Sequence, residues 1–144
     1  SLVARKLGDT SMLVCASPDF LIEQGEPTRP QQLADYECVL DSNYSGGCHW
    51  TLKTGENTIT TEVAVNLTVN SARAARELVL AGHGIGLLPS FVVADDIAKG
   101  KLKHLLSAFP SESFGIYAVY PHRKHLSAKV RLFIDAAIEQ CNRL

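Results

Sequence analysis

Apolar and polar positions change period several times along the chain, and each change marks an element. Residues 2–7 read as a strand, Gly8-Asp9-Thr10 reads as a turn, and residues 12–16 form a second, continuously apolar strand. Ser17 and Pro18 open a short helix through Gln24, with Ser17 as cap and Pro18 in the first turn. Gly25 closes it. A second short helix is predicted over 31–35, and 38–40 reads as a short buried strand. Residues 41–47 are polar and glycine-rich, as a loop is. Residues 49–53 and 59–65 are predicted strands around a turn at Thr54-Gly55-Glu56-Asn57, the second rich in β-branched side chains.

The spacing then predicts a helix over 71–81, with Asn70 as its cap. Ala74, Ala75, Leu78 and Val79 form its inward stripe, with Arg73, Arg76 and Glu77 outside. Residues 78–91 are the densest stretch. Gly82 stands at a helix C′ position, where glycine takes the left-handed conformation at little cost. Ile85, Leu87 and Leu88 make a buried strand, and Pro89 stops the ladder and starts a helix over 91–99 closed by Gly100. A short strand over 102–106, a loop over 107–113 and a strand over 115–120 follow. Ser127 caps a last helix to about residue 142, with Val130, Phe133, Ile134, Ala137, Ile138 and Cys141 on one face. Helices and strands in quick alternation point to an α/β fold with a mostly parallel sheet.

Composition narrows the function. The 144 residues suit one ordinary domain or two small lobes. With 46% hydrophobic and 20% charged residues, the chain has the balance of a globular protein. A net charge of −1 offers no surface for nucleic acid or an anionic membrane. No apolar run approaches the roughly 20 residues that span a bilayer. The first residues lack both a signal peptide's apolar core and an initiator Met, so the chain reads as a fragment of a longer protein. Cys15, Cys38, Cys48 and Cys141 match no zinc or thioredoxin spacing and read as reduced thiols of a cytoplasmic protein.

No enzyme pattern emerges. Cys48-His49 is a tempting nucleophile pair, but neighbours on a strand point to opposite faces. Gly82-x-Gly84-x-Gly86 follows a helix and precedes a strand, the reverse of a dinucleotide fingerprint. His122 and His125 flank a turn with Arg123 and Lys124 and have no third ligand nearby in sequence. Asp95-Asp96 face different ways on a helix and read as a solvent face. Lys99, Lys101, Lys103 and His104 read as a solvated basic cluster, and the sequon Asn66-Leu67-Thr68 has no secretory context. The expectation is no catalytic residue, no metal and no cofactor.

Several segments taken together resemble one family. They are residues 1–8 (Ser-Leu-Val-Ala-Arg-Lys-Leu-Gly), Val14-Cys-Ala-Ser-Pro-Asp-Phe-Leu, Pro27-Thr-Arg-Pro-Gln-Gln-Leu, Ala81-Gly-His-Gly-Ile-Gly-Leu-Leu-Pro, Lys99-Gly-Lys-Leu, and the run from Tyr117 to Asp135. In this order they resemble the effector-binding domain of LysR-type transcriptional regulators over essentially the whole chain. The resemblance implies a periplasmic-binding-protein-like domain of two lobes with mostly parallel sheets. The winged helix-turn-helix, the linker helix and the first part of lobe one would be absent. Residues 1–37 and 117–144 would be the remainder of lobe one, and 38–116 lobe two. Residues 38–40 and 116–120 would be the crossing strands.

In the family a small effector sits in the cleft between the lobes. The helix starts at Ser17, Asn70-Ser71 and Pro89-Ser90-Phe91 would present free N–H groups there, a setting suited to an anion. Ser42 and Asn43 would add hydrogen bonds, and Phe91 would pack on the ligand. The resemblance further implies a dimer or tetramer, with the helix over 71–81 as an interface candidate. DNA would be reached only through the absent N-terminal domain, and no membrane is involved. A solute-binding protein of transport has the same architecture and is the alternative; a small α/β enzyme is a third reading.

Overall fold

The computed structural model of the chain describes residues 1–122 and 127–142. The elements in order are β1 (Leu2–Ala16), α1 (Pro18–Gln24), a 3-10 helix (Pro30–Asp35), β2 (Glu37–Asp41), β3 (His49–Thr54), β4 (Asn57–Glu62), β5 (Ala64–Val69), α2 (Ala72–Leu80), β6 (Ile85–Pro89), α3 (Ser90–Ala98), β7 (Lys103–Leu105), β8 (Ser113–Pro121) and α4 (Ala128–Asn142).

Two strand expectations change. The turn predicted at Gly8-Asp9-Thr10 does not form; β1 is one strand of 15 residues. The strand predicted over 59–65 is two strands, because the chain changes partner at Val63. β4 pairs antiparallel with β3, whereas β5 pairs parallel with β2. The hinge residue Val63 is 4% exposed and donates its N–H to the Cys48 carbonyl at 2.8 Å.

The chain divides into two compact units, residues 1–10 with 113–144, and residues 11–112. Residues 11–37, expected with lobe one, fall in the same compact unit as 38–112. Residues 12–16 of β1 hydrogen-bond to β6 and β7, and Val14, Ala16, Phe20 and Leu33 share one core with Trp50 and Leu87. That burial holds residues 11–37 in the larger unit. β1 is accordingly the strand shared between units, and Cys38–Leu40 lies wholly inside the larger one.

In the larger unit the strand order is β5-β2-β6-β1-β7. β5, β2 and β6 run parallel, as expected, while β1 runs antiparallel to both β6 and β7. Side chains alternate across this sheet, so each face has its own core. Val14, Ala16, Cys38, Ile85 and Leu87 pack with Phe20, Leu33 and the β3–β4 residues Trp50 and Leu52. Cys15, Val39 and Leu88 pack with Ala75 and Val79 of α2, and with Val93 of α3 and Leu102. The predicted inward residues Ala75 and Val79 are both fully covered.

Turn chemistry behaves as the sequence predicts at Gly82. Its φ is +86°, and the N–H groups of Gly82 and His83 return to the carbonyls of Val79 and Leu78. The Asp95-Asp96 expectation fails by half. Asp95 pairs with Lys99 in solvent, but Asp96 is 2% exposed and is held by Arg76. A carboxylate is buried only when paired, and Arg76 is correspondingly drawn in rather than facing out. The basic cluster is also partly engaged: Lys103 pairs with Glu26 at 2.6 Å, and burial holds His104 below the ordinary imidazole pKa.

In the smaller unit, the Ser113 hydroxyl donates to the Thr10 carbonyl and the His122 N–H donates to the Ser1 carbonyl. β8 therefore runs antiparallel to the first part of β1. α4 is capped by Ser127, whose hydroxyl accepts from the Val130 N–H at 3.3 Å. Its Ile134 is 1% exposed, while Leu132 and Phe133 are each 69% exposed. The predicted apolar stripe is thus buried at Ile134 and open at Phe133. Arg123, Lys124 and His125 lie outside the described residues.

Candidate functional site

Parallel strands end on one edge of a sheet, and that edge is where α/β folds place ligands. Here β2, β5 and β6 end at Asp41, Val69 and Pro89. Asp41 pairs with Val69, so the residues that follow, Ser42-Asn43 and Asn70-Ser71, are neighbours. The Ser42 N–H donates to the Val69 carbonyl at 2.8 Å, and the Asn43 side-chain amide donates to the Asn70 carbonyl at 2.7 Å. β6 lies on the other side of β2 and delivers Pro89, Ser90 and Phe91 to the same edge. Seven of the eight predicted site residues therefore come together: Ser42, Asn43, Asn70, Ser71, Pro89, Ser90 and Phe91.

Ser17 is the exception. β1 opposes β6 with Met12 against Pro89 and Cys15 against Gly86, so β1 ends at the opposite edge. Ser17 sits there beside the Gly82 turn, where a Cβ on that glycine would lie 3.6 Å from the Ser17 oxygen. It is 5% exposed, and its hydroxyl accepts from the Phe20 N–H. It caps α1, and the antiparallel course of β1, invisible in local sequence, sets it at the edge opposite the other seven residues.

Capping roles shift by one residue at the other two helices. Ser71, not Asn70, caps α2, accepting from the Ala74 N–H at 3.3 Å. Asn70 is left to offer its carbonyl to Asn43. Pro89 is the last strand residue and the cap position of α3, with Ser90 the first helical residue. Pro89 brings no side-chain hydrogen bond to that helix end. Phe91 is 45% exposed and lines a cavity of about 230 Å³ with Arg73, Arg76 and Val92.

Two residues were missed. Asp41 is 9% exposed, and its carboxylate accepts from the Asn43 N–H at 2.9 Å, which fixes the Ser42-Asn43 backbone. An Asp opening a Ser-Asn-rich loop is the local signal for such a turn. Arg73, read as a solvent residue, faces the cavity beside Phe91. No local signal distinguishes it from Glu77.

Two of the four cysteines are buried thiols without nucleophilic character. Burial pushes the Cys15 and Cys38 thiols up to about 12, which keeps them protonated and unreactive. Cys48 and His49 do meet, with Sγ 3.7 Å from Nδ1. The expectation that they point apart fails because Cys48 precedes β3 rather than lying within it.

Residues 1–142 match the family model described as the LysR substrate binding domain. The chain belongs to this LysR family. Among its relatives, the HTH-type transcriptional regulator PtxR of Pseudomonas aeruginosa is 34% identical over 99% of the chain and 46% of that protein. The HTH-type transcriptional regulator CrgA of Neisseria meningitidis serogroup C is 31% identical over 96% of the chain and 46% of that protein. The chain thus spans about half the length of the curated relatives it matches. The solved regulatory domain of CrgA, a LysR-type regulator, superposes with a TM-score of 0.86 at 31% identity, covering 97% of this chain and 69% of that one. The regulatory domain of AphB from Vibrio vulnificus gives a TM-score of 0.79 at 30% identity. These neighbours share the periplasmic-binding-protein-like α/β fold expected from the LysR resemblance. The relatives are transcriptional regulators, so the transport reading is not favoured. Among the described residues, no helix is long and apolar enough to cross a membrane.

Proposed function

We propose that this LysR substrate-binding domain senses a small, preferentially anionic effector at the edge formed by Ser42, Asn43, Asn70, Ser71, Ser90 and Phe91. The observation that carries this reading is the convergence of those residues where β5, β2 and β6 end. Two helices of nine residues start at that edge, and their first N–H groups and dipole ends favour an anion. Arg73 beside Phe91 adds positive charge, whereas the Arg76 charge is taken up by Asp96 and Glu77. Pro89 shapes the entry to α3 and contributes no hydrogen bond. Ser17 takes no part in binding.

In this reading the domain catalyses nothing. The effector acts by differential affinity for two arrangements of a dimer or tetramer, and DNA is bound by a helix-turn-helix domain elsewhere in a cytoplasmic regulator. Residues 1–10 with 113–144 would belong to lobe one, and 11–112 would be lobe two.

Thermal-shift screening of the full-length regulator against small carboxylates, amino acids and aromatic acids tests the proposal. A ligand at 100 times its Kd stabilises the folded state by about 2.7 kcal/mol. Asn43→Ala should weaken a hit about fivefold, the worth of about 1 kcal/mol of hydrogen bonding, and Phe91→Ala should weaken it further. A hit unaffected by both substitutions would place the effector elsewhere.

A further inference from the structure

We propose that Cys48, His49 and Glu62 form a binding site for a divalent transition ion of the zinc class. The site stands on the β3–β4 hairpin and is independent of the effector reading. The backbone sets it up. His49 opens β3 and Glu62 closes β4, and the two are register partners, so they project from the same face. Cys48 immediately precedes His49, and its carbonyl is fixed by the Val63 N–H at 2.8 Å. Along the same face the Thr51 and Thr60 hydroxyls bond at 2.8 Å, and beneath it Trp50 is 1% exposed. The hairpin end is therefore rigid, while its three donor side chains remain open to solvent or partly so.

The donor geometry fits an ion. His49 gives a single ring nitrogen to one ion: Cys48 Sγ lies 3.7 Å from Nδ1, whereas the 4.0 Å approach to a Glu62 carboxylate oxygen is made by Nε2, so only one of these two separations serves the site at a time. One donor atom from each residue lies within 4.8 Å of the other two. A tetrahedral zinc with bonds of about 2.0–2.3 Å separates its donors by about 3.3–3.8 Å. Closure of up to about 1.5 Å is thus required, and the His49 and Glu62 side chains, 57% and 75% exposed, are free to make it. Thiolate, imidazole and carboxylate together select zinc-like ions over magnesium or calcium, which prefer all-oxygen shells. Three protein donors leave a fourth position for water. Among the described residues this is the one place where three such groups converge. Binding releases the Cys48 thiol proton as the Sγ–metal bond forms, so affinity rises with pH.

The test is a Zn²⁺ titration of the reduced, chelator-stripped full chain against a competing chromophoric chelator, with Co²⁺ as a spectroscopic stand-in. One ion per chain and a thiolate-to-cobalt charge-transfer band are expected. Cys48→Ser and His49→Ala should each weaken binding at least about 100-fold, beyond what loss of an outer partner costs, and Cys141→Ser should leave it unchanged. Glu62→Gln, at an exposed strand end, should weaken binding about 10-fold with an unchanged melting curve, which separates ligand loss from misfolding. Binding that survives Cys48→Ser and His49→Ala in folded protein would overturn the proposal, as would a Co²⁺ spectrum without a thiolate band or no binding below about millimolar Zn²⁺, the weak regime of adventitious surface sites.

Discussion

The Arg76 guanidinium grips the Asp96 carboxylate through two hydrogen bonds, Nε to Oδ2 at 2.5 Å and Nη2 to Oδ1 at 2.8 Å. This planar fork ties α2 to α3 directly behind the cavity that Phe91 lines. The hydrogen bond from Arg76 holds the Asp96 carboxyl below its ordinary value of 3.8, overcoming the opposing effect of its burial.

Arg76→Ala leaves Asp96 as a buried, unpaired charge, and should cost about 3 kcal/mol at neutral pH. Because the folded-state pKa of Asp96 is lowered, its contribution is fully present above pH 3.8 and is lost as pH falls through the folded value. Urea titrations of both proteins should therefore show a gap that narrows below pH 3.8. A gap independent of pH would mean that the pair contributes through packing alone.

Gly84 has φ +154°, and a Cβ there would meet the Glu37 carbonyl oxygen at 2.6 Å. The obstacle is backbone at the start of β2, so it cannot rotate away. Gly84→Ala should destabilise by more than about 2 kcal/mol. Gly47, also at positive φ but with nothing within 4 Å of a Cβ, isolates the conformational cost alone, and Gly47→Ala should lose only about 1 kcal/mol. Thermal melts that rank the two the other way would refute the contact.

Thiol titration should separate the four cysteines. Cys15 and Cys38 are buried, with thiols raised to about 12, whereas Cys48 and Cys141 are partly exposed. A chromogenic disulfide reagent at pH 8 should consume two thiols rapidly in the folded chain and all four in urea. Rapid reaction of Cys38 in native conditions, read by peptide mapping, would contradict the packing of β2.

Trp50 is the lone tryptophan, fully buried, and its indole Nε1 has no hydrogen-bond partner among the described residues. Trp50→Phe removes that unsatisfied donor while keeping an aromatic ring, so it should cost under about 2 kcal/mol, against about 3–5 for Trp50→Ala. Far-ultraviolet circular dichroism in denaturant reads both. In the unsubstituted protein, blue-shifted emission should red-shift as residues 11–112 unfold.

Much of the site was legible because helix caps and strand ends are local. Asn43 and Phe91 follow short apolar runs and Ser71 follows a mixed, β-branched strand, and strands of either kind end where backbone groups become free. The same logic selected Ser17, which like Ser71 carries a hydroxyl between a strand and a helix. What separates them spatially is the direction of the strand before them.

The sequence by itself determined most helix ends and turns, because capping, glycine turns and apolar periodicity act over a few residues. Ser127, Gly25, Gly82 and Gly100 punctuate the chain as expected. The tertiary structure alone decided which strands pair and in which direction. It ran β1 as one strand against β6, sent Ser17 to the far edge, buried Asp96 against an Arg twenty residues away, and set Glu62 opposite His49. Those outcomes depend on how distant segments share two faces of one sheet. Burial on those faces is a collective quantity that no short window of sequence contains.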